Sequence, residues 1–88
     1  MRIKKGFVLR KVMDNYVVVA VGEASRSFHG MVKLNASAAE IWKYIEDGQS
    51  RDAIIDAMLE KYDASRDVVE HDLDKTLSLL SEHGMIEI

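Results

Sequence analysis

The 88 residues leave room for one domain, spanning 1–88, and for no second core. Apolar residues at 48% and charged residues at 31% describe a globular chain, and the lack of cysteine excludes disulfides, thiolate metal sites, iron–sulfur clusters and cysteine nucleophiles. Net charge is −3, but residues 1–33 carry seven basic and two acidic side chains, while residues 34–88 carry five basic and thirteen acidic ones. The two halves can attract each other within one fold, or the basic half can receive an acidic partner. The longest apolar run, Tyr16 to Val21, is far short of the ~20 residues that span a bilayer. The basic start, Met1 to Gly6, precedes a stretch that Arg10 and Lys11 cut too short for a signal peptide. A soluble, cytoplasmic protein with no membrane partner is expected.

The first third reads as strand. Phe7 to Met13 is β-branched and apolar, and Asp14-Asn15 predicts a two-residue hairpin turn, because both residues tolerate positive φ. Tyr16 to Val21 is a second strand, apolar at every position, so both of its faces should meet apolar matter. A loop from Gly22 to Ser27 leads to a third strand, Phe28 to Leu34, whose residues alternate between two faces.

The period then changes from two to about 3.6. Asn35 is placed as an N-cap, Ala38, Ile41, Trp42 and Ile45 form a helical stripe, and Gly48 ends that helix. Ser50 caps a second helix with the stripe Ile54, Ile55, Met58, Leu59 and Tyr62. Ser65 caps a third, with Asp67 favoured in its first turn and the stripe Val69, Leu73, Leu77 and Leu80. Thr76 shares that sector. Gly84 closes the helix, and Met85 to Ile88 is a short final strand or tail. Strands first and helices second predict an α+β fold: a winged helix-turn-helix-like arrangement with a three-stranded antiparallel sheet, three helices and a short C-terminal strand or tail.

Catalytic constellations are hard to assemble from this sequence. His71 and His83 stand three helical turns apart and His29 lies on a strand, so none share a metal. Asp72 and Asp74, two apart on a helix, point away from each other and form no carboxylate dyad. The five glycines are scattered, with no phosphate-cradling loop. A non-catalytic protein without metal or cofactor is the expectation. A winged-helix plan also raises nucleic-acid binding. Yet the would-be recognition helix, 66–83, sets Arg66 and Lys75 against Asp67, Glu70, Asp72, Asp74 and Glu82, and phosphates would repel it. Nucleic-acid binding is therefore the alternative rather than the main reading. A homodimeric scaffold joined through the apolar second strand is another.

Peptide binding fits better. The edge of the third strand offers unpaired N–H and C=O groups, and Gly30 in its middle would let another backbone approach. Val69, Leu73, Thr76 and Leu77 of the third helix would wall a groove beside it. Gly30 as the mark of a bulge, and Thr76 as a residue bonding a carbonyl one turn back, are the plain structural readings of the same two positions.

The order and spacing of Leu34-Asn35, Ala39, Ile41-Trp42, Ile45, Gly48-Gln49-Ser50, Ile54-Ile55, Leu59, Tyr62-Asp63, Asp72-Leu73, Leu77, Leu80, Gly84 and Ile86 resemble the pyrroloquinoline quinone synthesis protein D (PqqD-like) family. Its members are recognition elements for ribosomally made, post-translationally modified peptides. The likeness runs from about Phe7 to Ile88. It implies a small non-catalytic chaperone that binds the leader segment of a precursor peptide and delivers it to a modifying enzyme, often a radical S-adenosylmethionine (radical SAM) enzyme. It also implies that the leader adds as a strand to Phe28, His29, Gly30, Met31, Val32, Lys33 and Leu34. Leader side chains would enter a groove walled by Val69, Asp72, Leu73, Thr76, Leu77 and Leu80. The family often carries a bulky aromatic where this chain has Thr76, which implies a groove of altered depth. Arg26, Lys33, Arg10 and Lys11 are the cations expected to favour an acidic leader.

Overall fold

The computed structural model describes residues 1–28 and 30–87. Strands β1 (Arg2–Ile3), β2 (Phe7–Val12), β3 (Asn15–Ala20) and β4 (Met31–Leu34) precede helices α1 (Ala36–Glu46), α2 (Arg51–Lys61) and α3 (Arg66–Glu82), and β5 (Ile86–Glu87) follows. The main sheet is antiparallel in the order β2-β3-β4, and a separate two-stranded ribbon joins β1 to β5. This is the α+β arrangement expected from the change of period.

Each helix starts where its cap is. Asn35 Oδ1 accepts from the Ala38 N–H at 2.9 Å, Ser50 Oγ from Ala53 at 3.1 Å, and Ser65 Oγ from Val68 at 3.3 Å. The apolar stripes converge on Trp42, which is fully buried among Ile41, Ile45, Ile54, Ile55, Leu73 and Leu80. Val18, Val32 and Leu34 close this core from the sheet, so all three helices lie on one sheet face.

Four details depart from the sequence reading. The hairpin turn is Met13-Asp14, not Asp14-Asn15, because Val12 pairs with Asn15. Met13 takes the left-handed φ of 56°. The observed register sets Leu9 opposite Val18 and Phe7 opposite Ala20, whereas a turn one residue later would carry Phe7 past the end of β3 to face Gly22. Residues 22–26 form a 3-10 helix rather than an open loop. The third strand of the sheet, β4, starts at Met31 instead of Phe28. Phe28 leaves the strand to pack edge-on between Phe7, at 5.7 Å, and His83, at 6.2 Å between ring centres. His29, expected in the third strand, and Ile88, expected in the final strand or tail, lie outside the described residues. Finally, Arg2–Ile3 is a strand that the sequence did not announce, pairing with Ile86–Glu87.

Gly6 makes the passage from β1 to β2 possible. Its φ is 100°, its carbonyl accepts from the Val21 N–H at 2.7 Å, and a Cβ there would stand 2.6 Å from that of Ala24. Gly6→Ala should lower stability by about 1–3 kcal/mol through left-handed strain and the clash, read as a reduced urea midpoint.

Glu40 of α1 clasps the end of α2: its Oε1 accepts from Lys61 Nζ at 2.9 Å and from the Tyr62 hydroxyl at 2.7 Å. Burial pushes the Glu40 carboxyl up, but these hydrogen bonds and the Lys61 and Lys43 charges outweigh it, and the net displacement is downward. A carboxyl held below its unfolded value stabilises the fold above the ordinary carboxylate range and loses that contribution as pH falls through its folded value. Glu40→Gln should therefore cost about 0.5–1.5 kcal/mol at neutral pH and flatten the acid limb of a stability-versus-pH curve below about pH 5.

Candidate peptide-binding groove

Within the sheet β4 pairs with β3 alone, so its other side presents backbone groups with no strand partner among the described residues. Beside that side runs α3. Phe28 meets His83 at one end, while Ser37 and Asp72 share a cavity at the other, so strand and helix run antiparallel. Between them lies an open groove of about 680 Å³. Lys33, Leu34, Asn35, Ser37 and Ala38 form one wall; His71, Asp72, Asp74, Lys75, Thr76, Ser78, Leu79 and Glu82 form the other. A smaller hollow of about 250 Å³, lined by Met58, Tyr62, Ala64, Val68 and Val69, shares Ser37 and Asp72 with the groove and continues it over the start of α3.

The residues singled out from the sequence take different places around this groove. Lys33, Leu34, Asp72 and Thr76 line it. Val69 lines the smaller hollow, and Leu77 borders a shallow depression on the outer side of α3. Leu73 and Leu80 are fully buried and form the packed layer beneath the groove rather than its wall. Met31 and Lys33 point out of the sheet and are exposed, while Val32 points into the core. Phe28 and the exposed Gly30 precede the strand, and His29 is outside the described residues. Among the described residues nothing beyond its chain neighbours stands within 4 Å of a Cβ built on Gly30, so no close approach among them demands a glycine there. The Thr76 hydroxyl donates to the Asp72 carbonyl at 2.9 Å, one turn back, which satisfies it and leaves its methyl side small and apolar.

Lys75, Leu79, Ser78, His71 and Glu82 were missed. The signal for Lys75, Leu79 and Glu82 is a second column on α3, Asp72–Lys75/Thr76–Leu79–Glu82, at the same three-to-four spacing as the core stripe and turned one position from it; His71 and Ser78 flank that column. Leu79 is its apolar member. Charge in the groove is mixed, with Lys33 on the strand side and Lys75 beside Asp72 and Glu82 on the helix side. The Asp74 carboxylate is held by Arg51, whose Nη2 donates to its two oxygens at 3.0 and 2.9 Å. Arg10 and Lys11 sit on β2, the opposite edge of the sheet, and Arg26 is 3.7 Å from Glu23. Of the expected cations only Lys33 reaches the groove.

A family model described as coenzyme PQQ synthesis protein D (PqqD) matches residues 15–86. No curated protein matches the chain. Among solved structures, TbiB1 in complex with the TbiA(beta) leader peptide is 26% identical, covers 99% of this chain and 95% of its own, and superposes with a TM-score of 0.80. Lasso peptide synthetase B1 complexed with the leader peptide has the same fold, with 24% identity, 96% and 93% coverage and a TM-score of 0.79.

Thr76, only 8% exposed and bonded to its own helix, is the small residue on the α3 side of the groove. Thr76→Phe should shrink the cavity while keeping the helix. Its thermal midpoint should stay within a few degrees of the parent, since a residue bordering open space can swing outward, and a loss of ~3 kcal/mol or more would place position 76 in the sealed core instead.

Proposed function

The chain belongs to the coenzyme PQQ synthesis protein D family, and from that membership we propose that it captures the leader segment of a ribosomally made precursor peptide and presents it to a separate modifying enzyme, of the radical SAM type. The observation that carries this reading is the unpaired edge of β4 lying along the α3 groove. An extended peptide entering there adds a fourth strand, and its backbone supplies the hydrogen bonds that β4 lacks. Alternate side chains then drop toward Leu34, Thr76 and Leu79, while the others point out beside Met31 and Lys33. Support comes also from the relative at 26% identity, a complex with a leader peptide.

The division of labour follows from the physics. Main-chain bonds tolerate many sequences, and the groove supplies selection. A leader that is disordered when free spends part of its interaction energy on becoming ordered, so binding should be firm yet reversible, with a Kd of ~0.1–10 μM, near −8 kcal/mol. The protein itself performs no chemistry in this scheme: it holds the leader, and the reacting part of the precursor extends away to the enzyme.

Titration of the 15N-labelled protein with a synthetic leader segment of a candidate precursor peptide should shift amides of residues 31–34 and 71–82; shifts confined to β2 or α2 would reject the site. N-methylation along that leader should weaken binding at least tenfold at alternate positions only, the signature of a ladder. A uniform or absent effect would remove strand addition from the scheme.

A further inference from the structure

The sheet face turned away from the helices is not used by the core. Strand register sets Val8, Val19 and Met31 in one row across β2, β3 and β4, and Arg10, Val17 and Lys33 in the next. Leu9, Val18 and Val32 face the helices, so these two rows point the other way. Val17, only 5% exposed, stands outside the core cluster, in register between Arg10 and Lys33. Met31, at 61%, is the most exposed apolar side chain of the three strands, and Val21 just beyond β3 is exposed as well. No acidic residue occurs in the three strands. Neither Arg10 nor Lys33 meets a carboxylate among the described residues.

We propose that this outer face docks an acidic amphipathic helix of a separate protein. The helix lies along β3, with its apolar stripe over the half-buried Val19 and the exposed Val21 and its carboxylates reaching Arg10 on one flank and Lys33 on the other. The spacing suits this. Arg10 and Lys33 are two strand intervals apart, ~10 Å, which is about the width of a helix with its side chains. A second copy of the chain fits poorly, because two such faces would bring four cations together with no carboxylate on either sheet. Together with the leader reading, on which this point alone rests, the docked helix would lie beside the outward-pointing side chains of the added strand, next to Met31.

The test uses the full chain and a synthetic 18-residue amphipathic helix with a leucine stripe flanked by glutamates, against the same peptide with lysines for glutamates. At low salt the glutamate peptide should shift the amides of Val8, Arg10, Val17, Val19 and Met31 and bind at least tenfold more tightly than the lysine peptide. Arg10→Glu should weaken the glutamate peptide at least fivefold. It should leave leader affinity unchanged, since Arg10 lies across the sheet from the groove. Equal binding of both peptides, shifts elsewhere, or no effect of Arg10→Glu would overturn the proposal, as would a dimer by light scattering that Val19→Lys dissolves. A chain that takes the glutamate helix but not the leader upholds the face and sinks the leader reading; the reverse overturns the face alone.

Discussion

The backbone of β4 has to hold its place in a sheet with a neighbour on one side only. A short strand with an open edge would ordinarily be covered, twisted away or studded with charge, because its free amides and carbonyls invite other chains. Here it is fixed from within: Val32 and Leu34 are locked into the core, Asn35 immediately caps α1, and Phe28 is wedged between Phe7 and His83 just before the strand begins. Those anchors keep the edge straight without closing it. The space beside it is bordered on α3 by Thr76, a small side chain bonded to its own helix.

The charge asymmetry gains meaning from this geometry. Attraction between the basic first third and the acidic remainder would show as ion pairs joining them, yet among the described residues only Arg2 and Glu87 make such a link. Arg51–Asp74, Lys61–Glu40 and Arg66–Asp56 join helices to helices, and Arg66–Glu70 lies within α3. The positive charges of the sheet are therefore left for outside use, and they divide: Lys33 serves both the groove and the outer face, while Arg10 belongs to the outer face alone. A net-acidic α3 beside the groove restrains how acidic a bound peptide can be.

Helices were legible in the sequence because their signals are local. A cap residue, a stripe and a closing glycine lie within one turn of the bonds they make, and Asn35, Ser50 and Ser65 each do what their position predicts. The misreadings needed distant partners. Arg2–Ile3 becomes a strand only because Ile86–Glu87 comes alongside, and Met13 accepts a left-handed backbone only because the pairing of Leu9 with Val18 fixes the turn from below. The groove wall was displaced by a smaller error of the same kind. Leu73 and Leu80 share an apolar sector with Thr76 in the sequence, but both are drawn fully into the common core, which leaves Lys75 and Leu79 to line the groove.

The ribbon that ties Arg2 to Glu87 brings the two ends of the described chain to one spot, linked further by the bond from the Lys4 amide to the Met85 carbonyl at 2.8 Å. Entry and exit side by side make the unit topologically like a bead that can be spliced into a loop of some larger host, since the host's own chain need hardly be parted to admit it. It also permits a permuted version, with old ends stitched together and new ones cut at the Met13-Asp14 tip, in which the open edge of β4 would be undisturbed.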